Sequence, residues 1–181
     1  MPAYHSTYNQ GAYKAVGNLA ILPLKSKIRG PAVPWSSTDP AADDIVDEAI
    51  SLFRANSFFR NFEIKGNADR VLIYLILFIS ECLSKLTKSP SMVEAARVLG
   101  THANQNFAIP GDANFPLNAL YEKPATRADA DVMRQYVSQL RQEVANRLPA
   151  RVYDGDRPSK WWMCFAKRRF MNIGCISGTG V

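Results

Sequence analysis

NADRVLIYLILFISECLSKLT spans residues 67–87 and contains the longest apolar run of the chain, Val71 to Ile79. Such a run fits either a buried strand or a helix that is apolar on every side. Length separates the two. Cys82, Leu83 and Leu86 continue the run at helical spacing, so the pattern reaches about 20 residues, well beyond an ordinary strand. Asn67 is a capping type, and Asp69 puts negative charge in the first turn, where the helix dipole favours it. A helix apolar on all faces has to be enclosed by other elements. The stretch therefore predicts an all-α domain of about five helices, with one central helix over about 68–87 surrounded by the others. Asp69-Arg70 and Ser80-Glu81 bound the apolar run itself, which is too short for a membrane helix of about 20 apolar residues.

Working toward the N-terminus, Phe58-Phe59 and Phe62 form a short aromatic connection. Before it, Ile45, Ala49, Leu52 and Phe53 recur at helical spacing. Thr38, Asp39 and Pro40 suit a helix start, so this first helix is expected from near residue 38 to Asn56. Residues 1–37 are broken by Gly11, Gly17, Pro23, Gly30, Pro31 and Pro34 and predict an irregular basic arm packed on the core. Within it, Leu19-Ala20-Ile21-Leu22 is a candidate strand-like segment.

Toward the C-terminus, a weaker helix over 91–99 is expected to stop at Gly100. Residues 101–125 form a long connection with apolar anchors at Phe107, Ile109, Phe115, Leu117 and Tyr121; loops of this length are uncommon. A long helix over 127–148 starts at Thr126 and stops at Pro149. Met133, Tyr136, Val137, Leu140 and Val144 form its stripe, Glu143 and Arg147 a favourable pair one turn apart. Arg134, Gln135, Arg141 and Gln142 read as its polar face. Asp154-Gly155 marks a turn, and Trp161 to Phe170 predicts a short last helix. The three units expected are thus the arm at 1–37, a single helical domain at 38–172 and a flexible tail at 173–181.

The 181 residues hold 22 Lys plus Arg against 16 Asp plus Glu, a formal charge of +6. The distribution says more than the sum. Residues 1–36 carry Lys14, Lys25, Lys27 and Arg29 with no acid, and 151–181 carry six basic against two acidic residues, so both ends are basic. Basic ends on a near-neutral core point to an acidic partner: nucleic acid, anionic lipid or an acidic protein surface. Three cysteines, Cys82, Cys164 and Cys175, at wide spacing fit a reduced compartment better than a disulfide framework. The start of the chain has no signal-peptide pattern, so a cytoplasmic protein is expected.

No phosphate-binding loop, dinucleotide fingerprint, nucleophile elbow or zinc spacing occurs. Neither His5 nor His102 has a carboxylate partner readable from sequence, so no triad can be built. Asp43, Asp44, Asp47 and Glu48 crowd a helix start, where dipole compensation explains them better than a metal. No catalytic, cofactor or metal site is expected. What remains is a recognition surface: Lys160, Trp161, Lys167, Arg168 and Arg169 near the C-terminus, with Lys25, Lys27 and Arg29 in the arm. Aromatic and basic residues interleaved in this way suit nucleic acid or a protein hot spot. At least one residue of the Trp161-Trp162 pair also serves as a plausible core anchor.

Several long blocks resemble one family: MPAYHS at 1–6, GNLAILPLKSKIRGP at 17–31, and DIVDEAISLFRANSFFRNFEIKGNADRVLIYLILFISECLSKL at 44–86. FAIPGDANFPLNALYEKPA at 107–125, VMRQYVSQLRQEVANRL at 132–148 and RPSKWWMCFAKRRFMN at 157–172 complete the set. The chain resembles the small helical subunits, subunit 3, of the actin-related protein 2/3 complex, the seven-subunit nucleator of branched actin filaments. It departs from their pattern in 7–16, 32–43, 88–103 and after Asn172. The resemblance implies a non-catalytic structural subunit without cofactor. It would pack against the larger actin-related subunit and help link it to the mother filament, within the actin cytoskeleton. Nucleic acid and membrane insertion form no part of that role, and a basic helical nucleic-acid-binding module is the alternative. Because actin filaments are acidic, basic patches would steer and complement that contact.

Overall fold

A computed structural model describes residues 3–87, 91–174 and 176. The central helix α2, Asn67–Leu86, is as the sequence pattern requires: every residue from Val71 to Ile79 is buried. Around it stand α1 (Ile45–Asn56), α3 (Met92–Ala103) and α4 (Arg127–Val152), each in contact with α2. A fifth helix, α5 (Lys160–Met163), is a single turn.

The architecture is not all-α. It also has three two-stranded ladders. In the arm, β1 (Ala15–Val16) pairs antiparallel with β2 (Leu19–Ala20), and β3 (Pro23–Leu24) runs parallel to β4 (Val33–Pro34). After α4, β5 (Tyr153–Asp154) pairs antiparallel with β6 (Arg157–Pro158). Strands of two residues have no alternation to read, and only their turns leave a mark in the sequence. Gly17 and Gly155 take the left-handed backbone that hairpin turns need, at φ +56° and +61°. The fold is mostly helical with small sheets.

Helix boundaries moved for local reasons. The first helix starts at Ile45 rather than near 38, because Asp44 is the stronger cap. Its carboxylate accepts from Val46 and Asp47 N–H, and the Asp47 side chain accepts from Asp44 N–H in return. Asp39 instead closes a separate turn with Ala41 and Ala42. α3 continues through Gly100, at a cost of about 1 kcal/mol relative to Ala, because Leu99, His102 and Ala103 are buried beyond it. α4 likewise runs past Pro149, with Leu148 and Val152 buried on either side. The last helix is shorter than expected. After Met163 the chain continues as single turns, Phe165 N–H to Trp162 O and Arg168 N–H to Phe165 O.

Arg141 was expected on the polar face of α4 but is completely buried. Its guanidinium donates to His102 O at 3.0 Å and Ala103 O at 3.2 Å, the carbonyls ending α3. It lies between the rings of Phe78, 4.3 Å away, and Phe107, 4.7 Å away. A charge there is tolerable because hydrogen bonds and ring faces replace its water.

The arm is held by polar contacts as well as by buried Val16, Leu19, Leu22 and Leu24. Leu22 N–H donates to the Tyr136 hydroxyl, and Gln139 bridges Ile28 O and Ala32 N–H. Asn9 accepts from Asp69 N–H, so the arm caps the central helix that Gly66 leaves without a side-chain cap. In the 101–125 connection Ile109, Phe115, Leu117 and Tyr121 are buried and Phe107 half-buried. The loose tail expected from residue 173 falls partly on Cys175 and residues 177–181, which lie outside the described residues. Ile173 bridges back to Phe170, and buried Ile176 donates its N–H to Glu81.

Candidate functional site

The Trp161-Trp162 pair divides between core and surface. On a one-turn helix neighbouring side chains diverge by about 100°. Trp162 turns inward, 8% exposed, and stacks on Phe53 with centroids 5.9 Å apart and planes 6° from parallel. Trp161 turns outward and is 78% exposed. The α1 C-terminus meets this segment. Phe165 packs edge-on against Phe53 and Phe58, and the Arg54 guanidinium lies 5.3 Å from the Trp162 ring.

Lys160, Lys167, Arg168 and Arg169 are all exposed on the same segment. Arg168 lies over the Phe58 ring, 4.4 Å from its centroid, and 5.6 Å from that of Phe165. Among the described residues no ion pair includes any of these four cations or Arg54. Residues 157–174 contain no acid at all. The segment closes on Met171 and Asn172, both at positive φ, and Met171 N–H donates to Phe59 O. The left-handed conformation costs roughly 1–2 kcal/mol at a residue such as methionine, and here it reverses the chain so that Ile173 meets Phe170.

The arm's candidates are placed differently. Lys25 is half-buried, 3.2 Å from an Asp47 carboxylate oxygen and 5.1 Å from the Trp35 ring centroid. Lys27 is exposed. Arg29 is exposed and lines a groove of about 410 Å³ with Phe107 and Arg134. No hydrogen bond, ion pair or ring contact among the described residues joins these three to the C-terminal group, so the eight candidates form two separate places.

The sequence missed Phe58 and Arg54. The available signal was the Phe58-Phe59 doublet outside any helix, where aromatic residues have no helical face to serve. It also missed both histidine partners. His5 Nδ1 sits 2.8 Å from buried Asp69, and His102 Nε2 sits 3.2 Å from buried Glu81. Asp69 and Glu48 also hold the arm, through Ser6 N–H, the Ser6 hydroxyl and Thr7. These contacts tie the arm to α1 and α2. The described residues include no group of three His, Cys, Asp or Glu placed to hold a metal ion. No described helix is long and apolar enough to cross a membrane. Burial pushes the Cys82 thiol up, away from thiolate chemistry.

A family profile described as P21-Arc, the ARP2/3 complex ARPC3 (21 kDa) subunit, matches residues 1–174. The chain belongs to this family. Members named actin-related protein 2/3 complex subunit 3 are similar along almost their whole length. The protein of Schizosaccharomyces pombe is 56% identical, covering 95% of this chain and 98% of its own. That of Saccharomyces cerevisiae is 51% identical, covering 95% and 98%. That of Dictyostelium discoideum is 47% identical, covering 93% and 97%. The P21-Arc profile spans both the central helix and the basic aromatic segment, so the exposed Trp161 surface belongs to the family's part of the chain.

Proposed function

We propose that this P21-Arc chain is a non-catalytic structural subunit of the ARP2/3 complex, the nucleator of branched actin filaments. It packs against the larger actin-related subunit and helps link it to the side of the mother filament, in the cytoplasmic actin cytoskeleton. The observation that carries the reading is the C-terminal surface. Trp161 stands out of the fold beside Lys160, Lys167, Arg168 and Arg169, and among the described residues no carboxylate pairs with any of those cations. Trp and Arg are the residue types enriched at interface hot spots. Uncompensated positive charge is what an acidic actin-type surface would steer and complement. Lys27 and Arg29 offer a second, weaker basic site in the arm, whereas Lys25 is already paired with Asp47.

The test is Arg168→Glu plus Arg169→Glu. Binding to actin filaments within the assembled complex should weaken at least tenfold, while the thermal midpoint of the isolated chain stays where it was, since exposed charges rarely set stability. A double variant that unfolds would make both residues structural. Steep salt-dependent binding of the unmodified chain to duplex DNA, without association with actin-related proteins, would overturn the assignment.

A further inference from the structure

Arg168 has a fixed place before any partner arrives. We propose that Phe58 is a positioning residue that holds the Arg168 guanidinium flat and ready to grip a carboxylate on the acidic protein partner. The inference rests on the proposed reading of the C-terminal surface as the filament-side contact.

Phe58 is 57% exposed, an unusual position for a ring with nothing polar to offer water. The backbone fixes it there. Ser57, the buried C-cap of α1, donates its N–H to Phe53 O and its hydroxyl to Arg54 O, so the residue that follows leaves the helix in a set direction. Phe165 then braces the ring edge-on, with centroids 5.6 Å apart and planes at 83°. The outer side of Phe58 receives Arg168 at 4.4 Å.

A guanidinium stacked on a ring face keeps its N–H donors in its own plane, directed sideways and left open to a partner. No carboxylate among the described residues takes them. A free arginine side chain carries considerable rotamer entropy, part of which must be surrendered on binding. Stacking on Phe58 removes part of that freedom in advance, and the attraction between the cation and the ring face holds it. The donor fork matches a carboxylate in bidentate geometry, which a lysine cannot reproduce. Charge complementarity selects the occupant: a planar acid on a protein surface, with Trp161 supplying the apolar contact beside it.

The experiment titrates the ARP2/3 complex reconstituted with the labelled full-length chain against actin filaments, at several salt concentrations. Phe58→Ala should weaken binding roughly tenfold without changing the salt dependence, because no charge is lost. Phe58→Trp should restore affinity. Arg168→Lys should lose about as much as Phe58→Ala, and the two changes together should cost little more than either alone. Melting curves of each variant confirm a folded chain. Should Arg168→Glu leave binding untouched, the C-terminal surface is not the contact and the proposed function fails with it. Should Arg168→Glu weaken binding while Phe58→Ala and Arg168→Lys behave as the unmodified chain, only the positioning role is overturned. Loss of phosphatidylserine vesicle binding in Phe58→Ala, with the protein titration unchanged, would overturn it in favour of a lipid.

Discussion

Two arginines on one chain meet opposite fates. Arg147, on α4, has its guanidinium 2.7 Å from Asp44, 3.2 Å from Asp47 and 2.9 Å from Glu143, and it also donates to Lys25 O. Arg168 meets two aromatic rings and, among the described residues, no carboxylate. The first arrangement joins arm, α1 and α4, so its charges are consumed in holding the fold. The second leaves its charge for another molecule. Residue type alone cannot separate the two, because both are arginines of the same basic chain. What separates them is whether the fold brings carboxylates to the cation.

The largest expected effect tests the consumed cluster. The Asp44 side chain is completely buried, and removing Arg147 leaves its carboxylate with backbone N–H donors but without its counter-charge. Arg147→Ala should therefore destabilise the chain by about 3–5 kcal/mol, measured by chemical denaturation. A loss under about 1 kcal/mol, the level of an exposed pair, would erase the contrast with Arg168.

A smaller effect follows from pH. Burial pushes the Asp47 carboxyl up, but Arg147 and Lys25 outweigh it and hold it below its ordinary value. A carboxyl depressed in the folded state stabilises the protein above the usual carboxylate range, near 4, and that stability is lost as pH falls through the folded value. Stability should thus decline on acidification below about pH 4, and Asp47→Asn should flatten this limb of the curve. Among the described residues the C-terminal cations have no carboxylate partner to protonate, so Arg168→Gln should leave the acid limb unchanged. Equal flattening by both substitutions would show that the two regions are not distinct.

The central helix was legible because its signal is local and redundant. Nine apolar residues, continued at helical spacing by Cys82, Leu83 and Leu86, reach a length that only a helix fits. The small ladders were not, since two residues carry no period, and Gly17 or Gly155 signals a turn without its partner strand. Arg141 was misplaced for a different reason. Its burial depends on Phe78, Phe107 and the end of α3, none adjacent in sequence. The candidate surface was half legible. The charge run at 167–169 and the Trp pair are visible in the string, but the inward turn of Trp162 and the arrival of Phe58 beneath Arg168 come from α1 docking on α5. The pairing of Lys25 with Asp47 was likewise hidden by 22 residues of separation.

The smallest effect is the sharpest test of what the comparison means. If the C-terminal cations serve only a partner, each should be nearly silent in the isolated chain. Lys167 and Arg169 are exposed, and none of the ion pairs among the described residues includes them. Lys167→Ala and Arg169→Ala should each shift stability by no more than about 0.5 kcal/mol. The direction is informative too. Lys160, Lys167, Arg168 and Arg169 sit in a segment without acid, so removing one positive charge relieves repulsion, and the shift should be slightly stabilising at low salt and vanish at high salt. Denaturation at two ionic strengths measures both. A destabilisation above about 1 kcal/mol would exceed what an exposed, unpaired cation contributes. It would mean that these charges hold the fold as Arg147 does and are not reserved for assembly.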